Sequence, residues 1–183
     1  MALIILAVVI VVVVGLIIAL YNSLVQLKVR ADSAWSDIDV QLKRRHDLIP
    51  NLVETVKGYA AHEKGTFENI AKWRSAAMSA TSPADRAQAE GQLTMALKSL
   101  FAVAEAYPQL RANENFMSLQ NSLTQIESDV QNSRRYYNAV ERDLNTRIQT
   151  FPANMIAGAM GFQPRQFFEL TAPGEREVPA VKF

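Results

Sequence analysis

The sequence of 183 residues contains no cysteine, so it can form no disulfide framework, no thiolate metal site and no cysteine nucleophile. Histidine is nearly as scarce, with only His46 and His62. His62-Glu63-Lys64-Gly65-Thr66 begins like a zinc-protease helix, but Thr66 stands where the second histidine belongs. A di-iron bundle needs a glutamate three residues before its histidines, and Lys43 and Tyr59 hold those positions. No glycine-rich phosphate loop, Gly-x-Ser-x-Gly turn or kinase signature is present. These absences argue against an enzyme and call for no metal and no cofactor. An excess of one charge is also missing. The 19 basic and 18 acidic residues leave a formal net charge of +1, which offers nucleic acid no bulk attraction. From Tyr21 onward there is no Asn-Gly or Asp-Gly turn and no sustained alternation, so strands are not expected.

What the chain does have is a long apolar start. Met1 to Leu27 carries no charged side chain, and Ala2 to Leu20 is almost wholly Ala, Val, Ile and Leu, with one Gly15. At 1.5 Å per residue this run is about 30 Å long, the thickness of a bilayer's hydrocarbon core. It has no basic leading region, is too long for a signal peptide, and precedes no small-x-small cleavage site. A buried soluble helix fits worse, because β-branched residues dominate and no polar face exists. Residues 1–21 therefore read as a transmembrane anchor, with Tyr21 and Asn22 at headgroup level. Lys28 and Arg30 follow the anchor and no basic side chain precedes it. The positive-inside bias then predicts a single-pass protein of the cell (inner) membrane, N-terminus outside and the bulk of the chain cytoplasmic.

Residues 22–152 show four helical patterns. Leu24, Leu27, Ala31, Trp35, Ile38 and Leu42 share one face of a helix that continues from the anchor. Pro50 is expected to stop it at Ile49. A second helix is expected from about Pro50 to Ala80 on Val53, Val56, Ala60, Phe67, Ile70 and Ala77, with Glu63 and Arg74 on the seam. Gly58 and Gly65 make a kink plausible in its middle. Ser82-Pro83-Ala84-Asp85 starts a third, with Ser82 as cap. Its face is Leu93, Leu97, Leu100, Ala104 and Tyr107, and Pro108 ends it. Phe116, Leu119, Leu123, Ile126, Val130, Tyr137, Val140, Leu144 and Phe151 then fit strict heptad positions, with Ser133 and Arg147 as polar exceptions. The fold class expected is all-α: an N-terminal transmembrane helix continuous with an antiparallel four-helix bundle of coiled-coil character.

Residues 153–183 change character. Met155 to Phe162 is apolar and uncharged, too short to span a bilayer, and Phe167 and Phe168 follow. Met155, Ile156, Met160, Phe162, Phe167 and Phe168 are candidate contacts with a second protomer or with the membrane interface, or else a strap over one end of the bundle. Thr171 to Phe183 reads as a polar tail. A basic run, Lys43, Arg44, Arg45 and His46, is a candidate polar interaction patch, set against the plainer reading of a solvated helix end. Arg134 and Arg135 are expected to pair with carboxylates such as Asp37 or Glu54, and Glu63 to sit in a buried polar layer.

Several stretches also carry a resemblance. They are Tyr21-Asn22-Ser23-Leu24-Val25, Ala34-Trp35-Ser36-Asp37-Ile38-Asp39-Val40-Gln41-Leu42-Lys43-Arg44-Arg45-His46-Asp47-Leu48-Ile49-Pro50-Asn51-Leu52-Val53, Tyr107-Pro108, Ala112-Asn113-Glu114-Asn115-Phe116, Arg134-Arg135-Tyr136-Tyr137-Asn138, and Phe151-Pro152 through Gly161-Phe162. Together they resemble the LemA family over essentially the whole chain, His46 departing from the family's usual tyrosine. The resemblance implies a bacterial membrane protein with an N-terminal transmembrane helix, a short exterior N-terminus and a helical bundle. It carries over no catalytic residue, and the family's magnetosome-associated branch implies a membrane-organising role. The function expected is a non-enzymatic, membrane-anchored scaffold or assembly protein. Its partners would be the lipid bilayer and further copies of itself, and it would bind no nucleic acid. The alternative is an accessory or regulatory subunit of a membrane enzyme or protease complex, with a membrane-protein partner.

Overall fold

Hydrocarbon leaves a lone backbone segment no choice but helix, because only there does every N–H find a carbonyl within the segment. In the computed structural model, which describes residues 1–169, the apolar start is the beginning of α1, Ala2–Lys57. It is the one helix among the described residues long and apolar enough to cross a membrane. Five more follow: α2 Lys64–Ser79, α3 Pro83–Glu105, α4 Pro108–Arg111, α5 Glu114–Gln149 and α6 Ala153–Ala159. The fold is all-α, with no strand among the described residues and the apolar helix continuous with the bundle. The expected polar tail, 171–183, lies outside the described residues.

The helix boundaries follow the capping chemistry, with one correction. Ser82 Oγ accepts from the Asp85 backbone N–H (3.0 Å) ahead of Pro83, starting α3 as the sequence predicts. Asn113 Oδ1 does the same for α5, accepting from Phe116 N–H at 3.0 Å. Pro50, however, does not stop α1, which runs on to Lys57. A proline removes the N–H that would bond the carbonyl four residues back, here that of His46. Arg74 Nε on α2 donates to that same carbonyl at 2.9 Å, so the helix passes through with the orphaned acceptor satisfied. The break comes instead at Gly58, and residues 58–63 form the turn that carries Ala60 inward before α2. Glu63 lies half-buried in that turn rather than in a buried layer.

The chain forms two compact units that cut across its helices. The first comprises residues 1–38 and 133–166. Here α1 and α5 run antiparallel, with Trp35 and Tyr137 in ring contact (centroids 5.2 Å apart). Leu24 and Ala31 pack with Val140, Leu144 and Ile148 of α5 and Ala157 of α6. The seam departs from the strict heptad at its end, because Ile148 is buried while Arg147 and Phe151 are exposed. A straight helix of 3.6 residues per turn drifts about 20° per heptad, enough to move the apolar stripe onto Ile148. After α6 the chain reverses through Gly161, whose φ of 73° suits glycine, and Phe162 N–H closes on the Ala157 carbonyl at 2.9 Å. That turn sets Phe162 edge-on against Tyr21.

The second unit comprises residues 39–132 and 167–169 among those described. Its core joins Ile49, Leu52 and Val56 of α1, Phe67 and Ile70 of α2, Leu93, Leu97 and Leu100 of α3, Leu110 of α4, and Phe116 and Leu123 of α5. These are the apolar stripes at helical spacing, each buried against the others.

Candidate functional site

The basic run on α1 does not form one surface. Leu42, Arg45, His46 and Ile49 recur at three- and four-residue steps, so they share the inward stripe, while Lys43 and Arg44 face solvent. Arg45 is only 2% exposed. Its Nη1 meets Glu90 Oε2 of α3 at 2.6 Å, and its Nη2 meets Thr94 Oγ1 at 2.7 Å and Glu127 Oε2 of α5 at 3.0 Å. His46 Nε2 lies 2.7 Å from the other Glu90 oxygen. A carboxylate only accepts, so Nε2 carries the proton and donates. Both Glu90 oxygens are thereby satisfied at 1% exposure. This cluster clamps α1, α3 and α5 to one register. A buried charge tolerates no shift that would strip it of its partners.

A second cluster lies in the first unit. Glu141 of α5 is completely buried, and the cation beside it comes from the segment after α6: Arg165 Nε stands 3.3 Å from Glu141 Oε1. Arg165 Nη1 also meets Asp32 Oδ1 of α1 at 2.6 Å. The backbone of this segment is pinned from both sides. Asn145 Nδ2 donates to the Arg165 carbonyl (2.9 Å), and Arg165 N–H donates to Asn145 Oδ1 (2.8 Å). Tyr137 donates its hydroxyl proton to the Gln166 carbonyl at 3.0 Å. Residues 162–166 are thus a strap fastened to α5 and α1. Burial raises the Glu141 carboxyl above the ordinary glutamate value, outweighing the opposing pull of Arg165. Burial, and then the Glu141 charge, raise the Tyr137 hydroxyl as well.

The six apolar candidates of the C-terminal segment divide in the same way. Phe168 is fully buried, and Ile156 and Phe162 are half-buried against the first unit's core. Met155, Met160 and Phe167 face outward, as does Phe151 at 74% exposure. Glu54, a suggested arginine partner, pairs with Lys57 in its own helix at 2.7 Å. Among the described residues no group of three or more His, Asp and Glu is placed to hold a metal ion.

Sequence reasoning singled out neither Glu90 nor Glu141. Their signal was a carboxylate on an apolar stripe: Glu90 between Ala87 and Leu93, Glu141 between Tyr137 and Leu144.

Compared with known families, residues 34–183 match the model of the LemA family. The chain belongs to the LemA family. Magnetosome protein MamQ 2 of Paramagnetospirillum magneticum is 24% identical over 184 residues, an alignment covering 86% of this chain and 68% of that protein. Magnetosome protein MamQ of Magnetospirillum gryphiswaldense is likewise 24% identical, with the same coverage. Protein LemA of Metamycoplasma hominis is 26% identical over 140 residues, covering 74% of this chain and 63% of that protein. Both clusters fall inside the span matched to the LemA family, apart from Asp32, which precedes it.

Proposed function

We propose that this LemA-family chain is a membrane-anchored, non-enzymatic assembly protein whose bundles self-associate on the membrane they are tethered to. One observation carries the reading. No non-helical residue separates the apolar run of α1 from the stretch, Leu24 to Ile38, that packs in the first unit. A flexible linker would let a tethered domain wander, whereas a continuous helix fixes the first unit's height and orientation at the bilayer. Tethering also confines copies to two dimensions, so a weak interface suffices for assembly. The MamQ relatives are named magnetosome proteins, which together with the apolar helix of α1 supports a membrane-organising role here.

The test has two parts. Size measurement of the full chain, purified alone in mild detergent, should give a homo-oligomer of defined size. A monomer that carries a co-purifying enzyme would replace this reading with that of an accessory subunit. Orientation is read with a single cysteine, Thr81→Cys, in the otherwise cysteine-free chain. An impermeant reagent should leave it unlabelled in intact cells and label it after lysis. Labelling in intact cells would reverse the proposed topology.

A further inference from the structure

The antiparallel register of the first unit sets the height of each residue along the membrane normal. Trp35 of α1 and Tyr137 of α5 stand side by side. Fourteen residues back along α1 is Tyr21, where the apolar run ends, and fourteen residues on from Tyr137, two past the end of α5, is Phe151. With equal rise per residue, both lie about 21 Å from the Trp35–Tyr137 pair and hence at one level. The contact between Tyr21 and Phe162 supports that level independently, since Phe162 follows α6 directly. So α6 and its flanks sit where the anchor leaves the hydrocarbon, and Phe151, Met155 and Met160, exposed by 74%, 69% and 58%, are presented there.

Just above this level the same unit carries a groove of about 620 Å³, lined among others by Arg30, Arg142 and Arg147, with Asp143 as the one opposing charge. All three arginines are exposed, and none makes an ion pair with a described residue. Arg147 lies four residues before Phe151, about 6 Å higher, and Arg142 and Arg30 about 13 Å higher. Those heights fall in and just above the headgroup layer, which adds about 5–8 Å on each face of the hydrocarbon. Apolar side chains at the acyl boundary with arginines directly above them are the arrangement of an interfacial membrane contact.

We infer that α6 with Phe151, Met155 and Met160 is embedded in the interface beside the anchor, and that the groove of Arg30, Arg142 and Arg147 binds the phosphates of anionic phospholipids. The occupant is lipid rather than a second copy because the patch lies at the level where the anchor meets lipid and its charge complements an anionic surface. This inference rests on the membrane-anchored reading above.

The experiment uses the full chain reconstituted in vesicles of roughly 3:1 phosphatidylcholine to phosphatidylglycerol. Nitroxides are placed singly by Met155→Cys, Met160→Cys, Val9→Cys as anchor reporter, and Met95→Cys as an exposed reference on the second unit. Met155→Cys and Met160→Cys labels should collide readily with oxygen and poorly with a water-soluble relaxant, as should Val9→Cys, while Met95→Cys does the opposite. A water-exposed α6 with a lipid-exposed Val9→Cys label overturns this inference and leaves the anchor standing. A water-exposed Val9→Cys label overturns the anchor itself. Labels at 155 shielded from both relaxants, with broadening between copies, would assign the patch to a second protomer and overturn the inference. For the groove, spin-labelled phosphatidylglycerol should be enriched over phosphatidylcholine in the motionally restricted lipid around the protein. Arg142→Gln with Arg147→Gln should cut that enrichment by about fivefold per residue, as should about 0.5 M salt. Enrichment unchanged in a variant of wild-type helicity overturns the groove assignment.

Discussion

Arg74 Nε on α2 donates to the His46 carbonyl of α1 at 2.9 Å, and His46 is four residues before Pro50. The two facts are one arrangement. The proline leaves that carbonyl without its helical donor, and an arginine from the neighbouring helix replaces it. The 56-residue α1 can therefore carry a proline seven residues before its end.

Arg74 and Pro50 should consequently be coupled. Arg74→Ala leaves a largely buried carbonyl unpaired and should cost about 1–3 kcal/mol by chemical denaturation. Pro50→Ala restores the N–H, so in that background the same arginine replacement should cost less than about 1 kcal/mol. A double-mutant cycle that closes without coupling would show that Arg74 supports α1 in some other way.

The Arg45–Glu90 pair predicts an asymmetry between single and double replacement. Glu90→Leu leaves buried Arg45 with only Thr94 and the partly exposed Glu127 and strips His46 of its acceptor, and should cost about 3–5 kcal/mol. Arg45→Met together with Glu90→Leu removes both charges, and Glu127, 27% exposed at its side chain, can turn to water. The double variant should be more stable than either single one. Additive losses from the two singles would mean that the cluster contributes net stability as an ionic unit.

The apolar periodicity made the helices legible from sequence, because each stripe needs only spacing to be recognised. Leu93, Leu97, Leu100 and Ala104 on α3 are buried as their spacing predicts, and Ser82 caps as its position before Pro83 suggests. What was not legible depended on partners far along the chain. Pro50 reads as a stop until the donor 24 residues away on α2 is known. Arg45 and His46 read as a basic surface because their partner, Glu90, is more than 40 residues distant. The division of the C-terminal segment into buried Phe168, half-buried Phe162 and exposed Met155 was equally hidden, since no period in so short a stretch distinguishes them.

Glu141 should make stability depend on pH in a direction unusual for a carboxylate. Its folded carboxyl titrates above the ordinary value because it is buried, with Arg165, Tyr137 and Asp32 as the ionisable groups facing it. Between the unfolded and the raised folded value the native state therefore holds more protons than the unfolded state, and stability falls as pH rises through that window. The contribution is complete below the unfolded value and lost above the folded one. Glu141→Gln should flatten this dependence in thermal melts from pH 4 upward, and should raise the melting temperature at neutral pH. An unchanged profile would mean that the charge on Glu141 is compensated in the native state.

The strap gives the last prediction, which separates an intramolecular role from an intermolecular one. Ending the chain after Asn154 removes Phe162, Arg165 and Phe168 together, leaving Glu141 without its cation and the site of Phe168 empty. Phe168→Ala alone should cost about 3–5 kcal/mol as a core truncation, which for a domain of this size is a fall of about 10 °C. Arg165→Gln should destabilise the protein at neutral pH and progressively less as acid neutralises Glu141. Met155→Ser and Met160→Ser touch exposed side chains and should leave the melt within about 0.5 kcal/mol of the parent. Light scattering on the same samples completes the test. Thermal collapse of the truncated and Phe168→Ala proteins assigns the inward residues to the strap. A truncated protein that melts like the parent but runs as a smaller species would make the whole segment an interface between copies instead.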